Sequence, residues 1–316
     1  MYSNFIKTLT NFNLRYYNIF YDLFVFLLGE KKKMHHLAWC CITIFSSILV
    51  TLFLRPLVTT VTRSQHALTL YYEFAGNLVA AVAAMELSVL SYAKYDVYIF
   101  FACLYVVVFM KFYYFGNMEL FGSPLTFLDL YYVKERKHVF TLLEFLSVIV
   151  TQAAATWCGI VYAKQLWVYE DIVHSNLAEE VCLSTISTTH MWYECFATEM
   201  LGIFVCAFVD FNMFDSLKSI TRPLMVIFVV MGFGHVTGTW MNPILATVFT
   251  FRCEGHTSDM LHVAVFWIAP LVGLFLAWEL HLILKYLFTS NVNPKKENAA
   301  VKKKDASQKK KKPKKD

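Results

Sequence analysis

The chain has 316 residues, of which 58% are hydrophobic and 17% aromatic, and only 16% carry charge, well below the roughly 25% of an average soluble domain. That balance leaves too little polar surface to coat a water-soluble globule. The formal charge of +5 is uneven: the tail from Lys295 holds eleven Lys against Glu297, Asp305 and Asp316, a balance of +8, which leaves about −3 for everything before it.

The opening "MYSNFIKTLTNFNLRYY" lacks a small-residue cleavage pattern after a compact apolar region, so no cleaved signal peptide is expected. Residues 16–28 form an apolar run containing Asp22, too short for a span and read as interfacial. Apolar stretches near the ~20 residues that a bilayer crossing needs then fall at 37–54, 70–90, 97–115, 139–163, 193–209, 224–233 running on to His235, and 261–282. Six or seven crossings follow. The number stays open because the first stretch has Lys31, Lys32 and Lys33 on one flank and Arg55 and Arg63 on the other.

Charge orients the rest. By the positive-inside rule the Lys-rich C-terminus is cytoplasmic, and counting back puts the stretches "KERKH" and "SLKSITR", read as loops, on the same side. The acidic connection "YEDIVHSNLAEE" falls on the other. The chain divides into an N-terminal segment (1–69), a first membrane repeat (70–163), an extracytoplasmic loop (164–192), a second repeat (193–283) and a disordered cytoplasmic tail (284–316). The tail would lie near anionic headgroups rather than bind nucleic acid. Its last five residues, "KPKKD", resemble the K-x-K-x-x retrieval signal of the endoplasmic reticulum.

Eight cysteines form neither a disulfide framework nor a CxxC metal pair. Free buried thiols are the default, with Cys182 and Cys253 on one side of the membrane and able to pair. Ten histidines are scattered over both faces without the converging spacing a metal needs, and His235 reads as a packing or pore-lining residue. No cofactor and no metal is expected.

Two glutamates stand at membrane depth, Glu73 in "YYEFAGN" and Glu199 in "ATEMLGIF", both followed by Gly at the third position. Such charges are expensive and face a bundle interior, bonded to something. Fifty residues after Glu73 comes "FGSPLTFLDLYY" and forty-three after Glu199 comes "WMNPILATVFTF". In each, a polar residue precedes Pro and an apolar segment of about nine residues is ended by charge. Nine helical residues cover only ~13 Å, so each segment enters the membrane and stops midway. Ser123 and Asn242 suit the N-cap and Pro124 and Pro243 the first helical position. The result is an inverted repeat of broken helices, a pattern that puts the site at the midplane, where two helix N-termini disfavour cations and serve neutral solutes with oxygen acceptors.

"TGTWMNPILA" resembles the second Asn-Pro-Ala box of aquaporins, with Thr237-Gly238 ahead of the Asn, and "FWIAPLVG" resembles the start of their last span. Cys253, nine residues beyond the box, resembles the mark of the divergent superaquaporin subfamily. The resemblance runs from about Leu70 to Leu282. It implies an all-α membrane protein with six core helices, two re-entrant half-helices and an extra N-terminal apolar helix. The boxes would be Ser123-Pro124-Leu125 and Asn242-Pro243-Ile244, and the filter Val230, Thr239 and Leu245, with Leu where most of that family has Arg. Glu73 and Glu199 would brace the loops that carry the boxes, with Gly238 and Cys253 as further support.

The implied function is a passive homotetrameric channel for water, glycerol and hydrogen peroxide in an endoplasmic reticulum or other intracellular membrane, with no enzymatic activity. Two rivals stand beside it. One is a non-conducting scaffold, suggested by the "SPL" box and the missing Arg. The other is a seven-span receptor, which fits the span count but gives no account of the paired half-helices.

Overall fold

The computed structural model describes residues 31–92, 97–115, 123–125, 128, 141–168, 186, 190–255 and 258–290. The expectations for residues 1–30, the tail beyond Ser290, "KERKH" and the acidic connection "YEDIVHSNLAEE" lie outside them, while residues 284–290, expected to begin the disordered tail, instead continue the last helix. The regular elements are all helices: α1 (Lys31–Val61), α2 (Gln65–Tyr92), α3 (Val97–Phe115), α4 (Leu142–Trp167), α5 (Trp192–Asn212), α6 (Asp215–Thr237), α7 (Pro243–Thr250) and α8 (Asp259–Val263), then a π turn (Ala264–Ile268) running into α9 (Ala269–Ser290). Five segments among the described residues are long and apolar enough to cross a membrane: Leu37–Val61, Gln65–Ser91, Leu142–Trp167, Asp215–Thr237 and Asp259–Phe288. A shorter apolar stretch, Tyr98–Phe109, lies in α3. The 21 residues of α5 are long enough but include Glu194, Glu199 and Asp210. Helices suit such a chain because each satisfies its own backbone groups, which lipid cannot do.

The stretch "SLKSITR", read above as a loop, lies inside α6. Its charges are met without breaking the helix. Lys218 Nζ reaches Asp215 one turn back at 2.9 Å, and Arg222 grips Asp210 of α5 with Nε and Nη2 at 2.6 and 3.0 Å. Such bidentate pairing fixes both position and angle.

Helix α2 packs broadly on α4, and α5 on α9, while α3 crosses to α6 and α7 lies against α4 and the π turn. Both broad crossings turn on a glycine. An added Cβ would stand 2.7 Å from the Leu78 carbonyl at Gly159 and 2.1 Å from the Met200 carbonyl at Gly273. Small residues let membrane helices approach this closely.

The extra helix α1 is joined to the bundle rather than tethered to it. Ile48 packs on Ala75 and Val79, Ser46 Oγ and the Tyr162 hydroxyl meet at 2.9 Å, Tyr71 donates to the Thr51 carbonyl, and the Arg55 guanidinium lies 5.8 Å over the Tyr72 ring. Its opposite side exposes Ile42, Phe45, Leu49 and Phe53, one apolar stripe at helical spacing.

Candidate functional site

The site is built where α6 ends and α7 begins. Gly238, at φ 81°, closes α6 with its N–H on the Gly234 carbonyl at 2.9 Å. The chain then holds Thr239 and Met241 at φ 47° and 50°, a left-handed conformation costly for residues with a Cβ. What offsets it is Glu199 of α5, fully buried. Its Oε1 accepts from Thr237 Oγ1 at 2.7 Å and from the Trp240 N–H at 3.1 Å, and its Oε2 accepts from the Met241 N–H at 2.9 Å. Charge-assisted bonds of this kind are about twice as strong as neutral ones. One carboxylate therefore fixes the whole turn that feeds α7.

Asn242 is the N-cap of α7. Its Oδ1 accepts from the Ile244 and Leu245 N–H groups at 3.0 and 3.3 Å, and Pro243 occupies the first turn, where its missing donor costs nothing. At eight residues the helix is ~12 Å long, under half of a ~30 Å hydrocarbon layer. Ile244, Leu245 and Ala246 are buried, and Ala246 packs with Cys195, Val236, Val265 and Phe266. Trp240 stacks on Phe249 at 5.1 Å between ring centroids, folding the feeding turn back on the last turn of α7.

In the first half, Ser123, Pro124 and Leu125 are buried, and Ser123 Oγ accepts from the Leu125 N–H at 3.2 Å. That is the same two-residue reach Asn242 makes to Ile244. Glu73 is fully buried in α2; its Oε2 accepts from Gln152 Nε2 of α4 at 2.8 Å, and its carbonyl from Asn77 Nδ2 at 2.9 Å. Of the three filter candidates, Thr239 and Leu245 are buried and Val230 is half-buried. Val230 and Thr239 both border Gly234. Cys253 is disulfide-bonded, the six other described cysteines are free, and Cys182 lies outside the described residues. His235 lies edge-on to His190, 5.8 Å between centroids.

Sequence reasoning missed three partners. Glu86 is a third fully buried glutamate, accepting from Trp167 Nε1 at 2.8 Å; it stands in the same apolar run as Glu73, and the argument from expensive charge applied to it equally. Gln152 gave no signal, since an amide is common in helices. The third is Thr247, whose hydroxyl accepts from Trp267 Nε1 at 2.9 Å and lies 3.4 Å from His262 Nε2. Residues five apart sit about 140° apart around a regular α-helix, but the intervening π turn, with the Ala269 N–H on the Ala264 carbonyl, lets both rings reach one hydroxyl. Thr247→Val should strand the Trp267 indole N–H at a cost of about 1–3 kcal/mol, seen as a lower unfolding midpoint in detergent. Thr247→Ser should keep the wild-type midpoint.

No protein-family profile matches the chain. Two human proteins, "Putative aquaporin-12A" and "Putative aquaporin-12B", are each 43% identical to it over 60 residues. The matched stretch covers 19% of this chain and 20% of each relative.

Proposed function

We propose that the chain is an aquaporin-type channel of the divergent superaquaporin kind, passing water and small neutral solutes such as glycerol down their gradients. The observation that carries this reading is the turn held by Glu199 and the Asn242-capped short helix it feeds, whose first turn is buried in the bundle instead of facing water. Partial similarity to the two human proteins supports it. Ser123 would cap the facing half-helix, and Val230, Thr239 and Leu245 would line the constriction. Four copies would assemble, each with its own pore, in an intracellular membrane with the C-terminus cytoplasmic.

The filter carries no charge in this reading, because Leu245 stands where a guanidinium would supply fixed charge and paired donors. Leu245→Arg should narrow it and cut glycerol permeability at least about tenfold, the discrimination that small changes in a tight site produce. Unchanged glycerol entry at equal protein density would remove Leu245 from the filter. The test of the whole reading is stopped-flow light scattering on proteoliposomes challenged with an impermeant osmolyte, glycerol and hydrogen peroxide. A protein that only scaffolds an internal membrane, the reading favoured by Leu245 and the Ser-capped first box, would give traces equal to empty vesicles.

A further inference from the structure

Gly234 stands one turn before the end of α6 and four residues after Val230, so the two share a helix face. Among the described residues, a Cβ at Gly234 would find two neighbours within 4 Å, Val230 Cγ1 at 3.3 Å and Thr239 Oγ1 at 3.5 Å. This is unlike Gly159 and Gly273, where the added atom strikes backbone of the facing helix. It is also unlike Gly232, which meets nothing within 4 Å among the described residues and lies about 200° round the helix on the outer side. Among the described residues, the missing side chain at Gly234 therefore serves neither a helix crossing nor the outer surface. It leaves room on the inner side, between an apolar wall and a hydroxyl.

That hydroxyl is the second observation. Thr239 Oγ1 is buried and has no hydrogen-bond partner among the described residues, while the residue's backbone N–H is already taken by Thr237 Oγ1 at 3.2 Å. Buried polar atoms in folded proteins are met by something. Here the atom borders the gap beside Gly234, with Val230 on the other side. A site with one hydroxyl, one branched apolar wall and the width of a missing side chain matches a molecule that carries carbon as well as hydroxyl groups.

We propose that Gly234 sets the width of the constriction, and that the solute it admits is a short neutral polyol, with Thr239 Oγ1 exchanging hydrogen bonds with its hydroxyls. This rests on the channel reading and deepens it, since Gly234 is not among the positions that the aquaporin resemblance assigns to the filter. The test uses the full chain in proteoliposomes with glycerol and water measured separately. Gly234→Ala favours the helix and asks its neighbours, both side-chain atoms, to give only a few tenths of an ångström, so the protein should assemble at wild-type yield. Glycerol permeability should fall about tenfold, the effect of one added carbon in a tight site, with water falling less than about twofold. Thr239→Val, which keeps the width and removes the hydroxyl, should also slow glycerol, and Gly232→Ala should change neither solute. Wild-type glycerol flux in Gly234→Ala, or equal loss of water and glycerol, overturns the proposal. A wild-type chain that passes water but no glycerol overturns it while leaving the channel standing; one that passes neither removes both.

Discussion

Glu199→Ala is expected to yield little folded protein. The truncation leaves the Trp240 and Met241 N–H groups, both now bonded to the carboxylate, without an acceptor in a part of the chain that water reaches poorly. Each orphaned donor costs about 1–3 kcal/mol, so the two alone cost roughly 2–6 kcal/mol, a large fraction of the total stability of an ordinary domain. The left-handed backbone at Thr239 and Met241 adds to this, because the bonds that offset its strain are the ones removed. Glu199→Gln separates charge from shape. Its single carbonyl oxygen can take the Oε1 position and keep Thr237 and Trp240, but the NH₂ then faces the Met241 N–H, donor against donor. Gln should therefore fold better than Ala and worse than wild type. Fluorescence-detected size-exclusion chromatography of the three proteins in mild detergent reads this order, and equal monodisperse yield from all three would show that the turn holds itself.

How much of this was open to inspection in the sequence depends on whether the cause is local. The burial of Glu199 follows from a carboxylate set in an apolar run, and a helix starting after Asn242-Pro243 follows from capping chemistry. Both depend on a few neighbouring residues. The left-handed turn does not, because Thr239 and Met241 carry no glycine signal, and their conformation exists only because α5 brings Glu199 alongside. The start of α6 was misread for the same reason: Lys218 and Arg222 look like a loop until Arg222 is seen to hold Asp210 on another helix. The shared hydroxyl of Thr247 needs the π turn, which no residue type announces. Gly159, Gly232, Gly234 and Gly273 look alike in sequence, yet among the described residues an added Cβ meets backbone, nothing, or two side-chain tips. What each glycine does is a property of the facing surface, not of the glycine.

That difference makes Gly273→Ala the second large effect. Its Cβ would lie 2.1 Å from the Met200 carbonyl oxygen, 3.0 Å from the Met200 carbonyl carbon and 3.2 Å from the Phe204 N. All three are backbone atoms of α5, so no rotamer change relieves the clash. Helices α5 and α9 must part or slide. Overpacking of this kind costs about 1–3 kcal/mol and occasionally more, and backbone against backbone belongs at the upper end. The displacement also travels, because α5 carries Glu199 and any shift of it moves the carboxylate off the turn that feeds α7. Gly273→Ala should thus lower the unfolding midpoint in detergent more than Gly159→Ala, where the nearest atoms stand at 2.7 and 2.8 Å and one is the Ala81 methyl. Gly232→Ala, with nothing in reach among the described residues, should leave the midpoint at or slightly above wild type, as alanine favours a helix over glycine. A Gly273→Ala midpoint matching that of Gly232→Ala would mean that the α5–α9 crossing is looser than the geometry requires, and the link between that crossing and the Glu199 turn would fall with it.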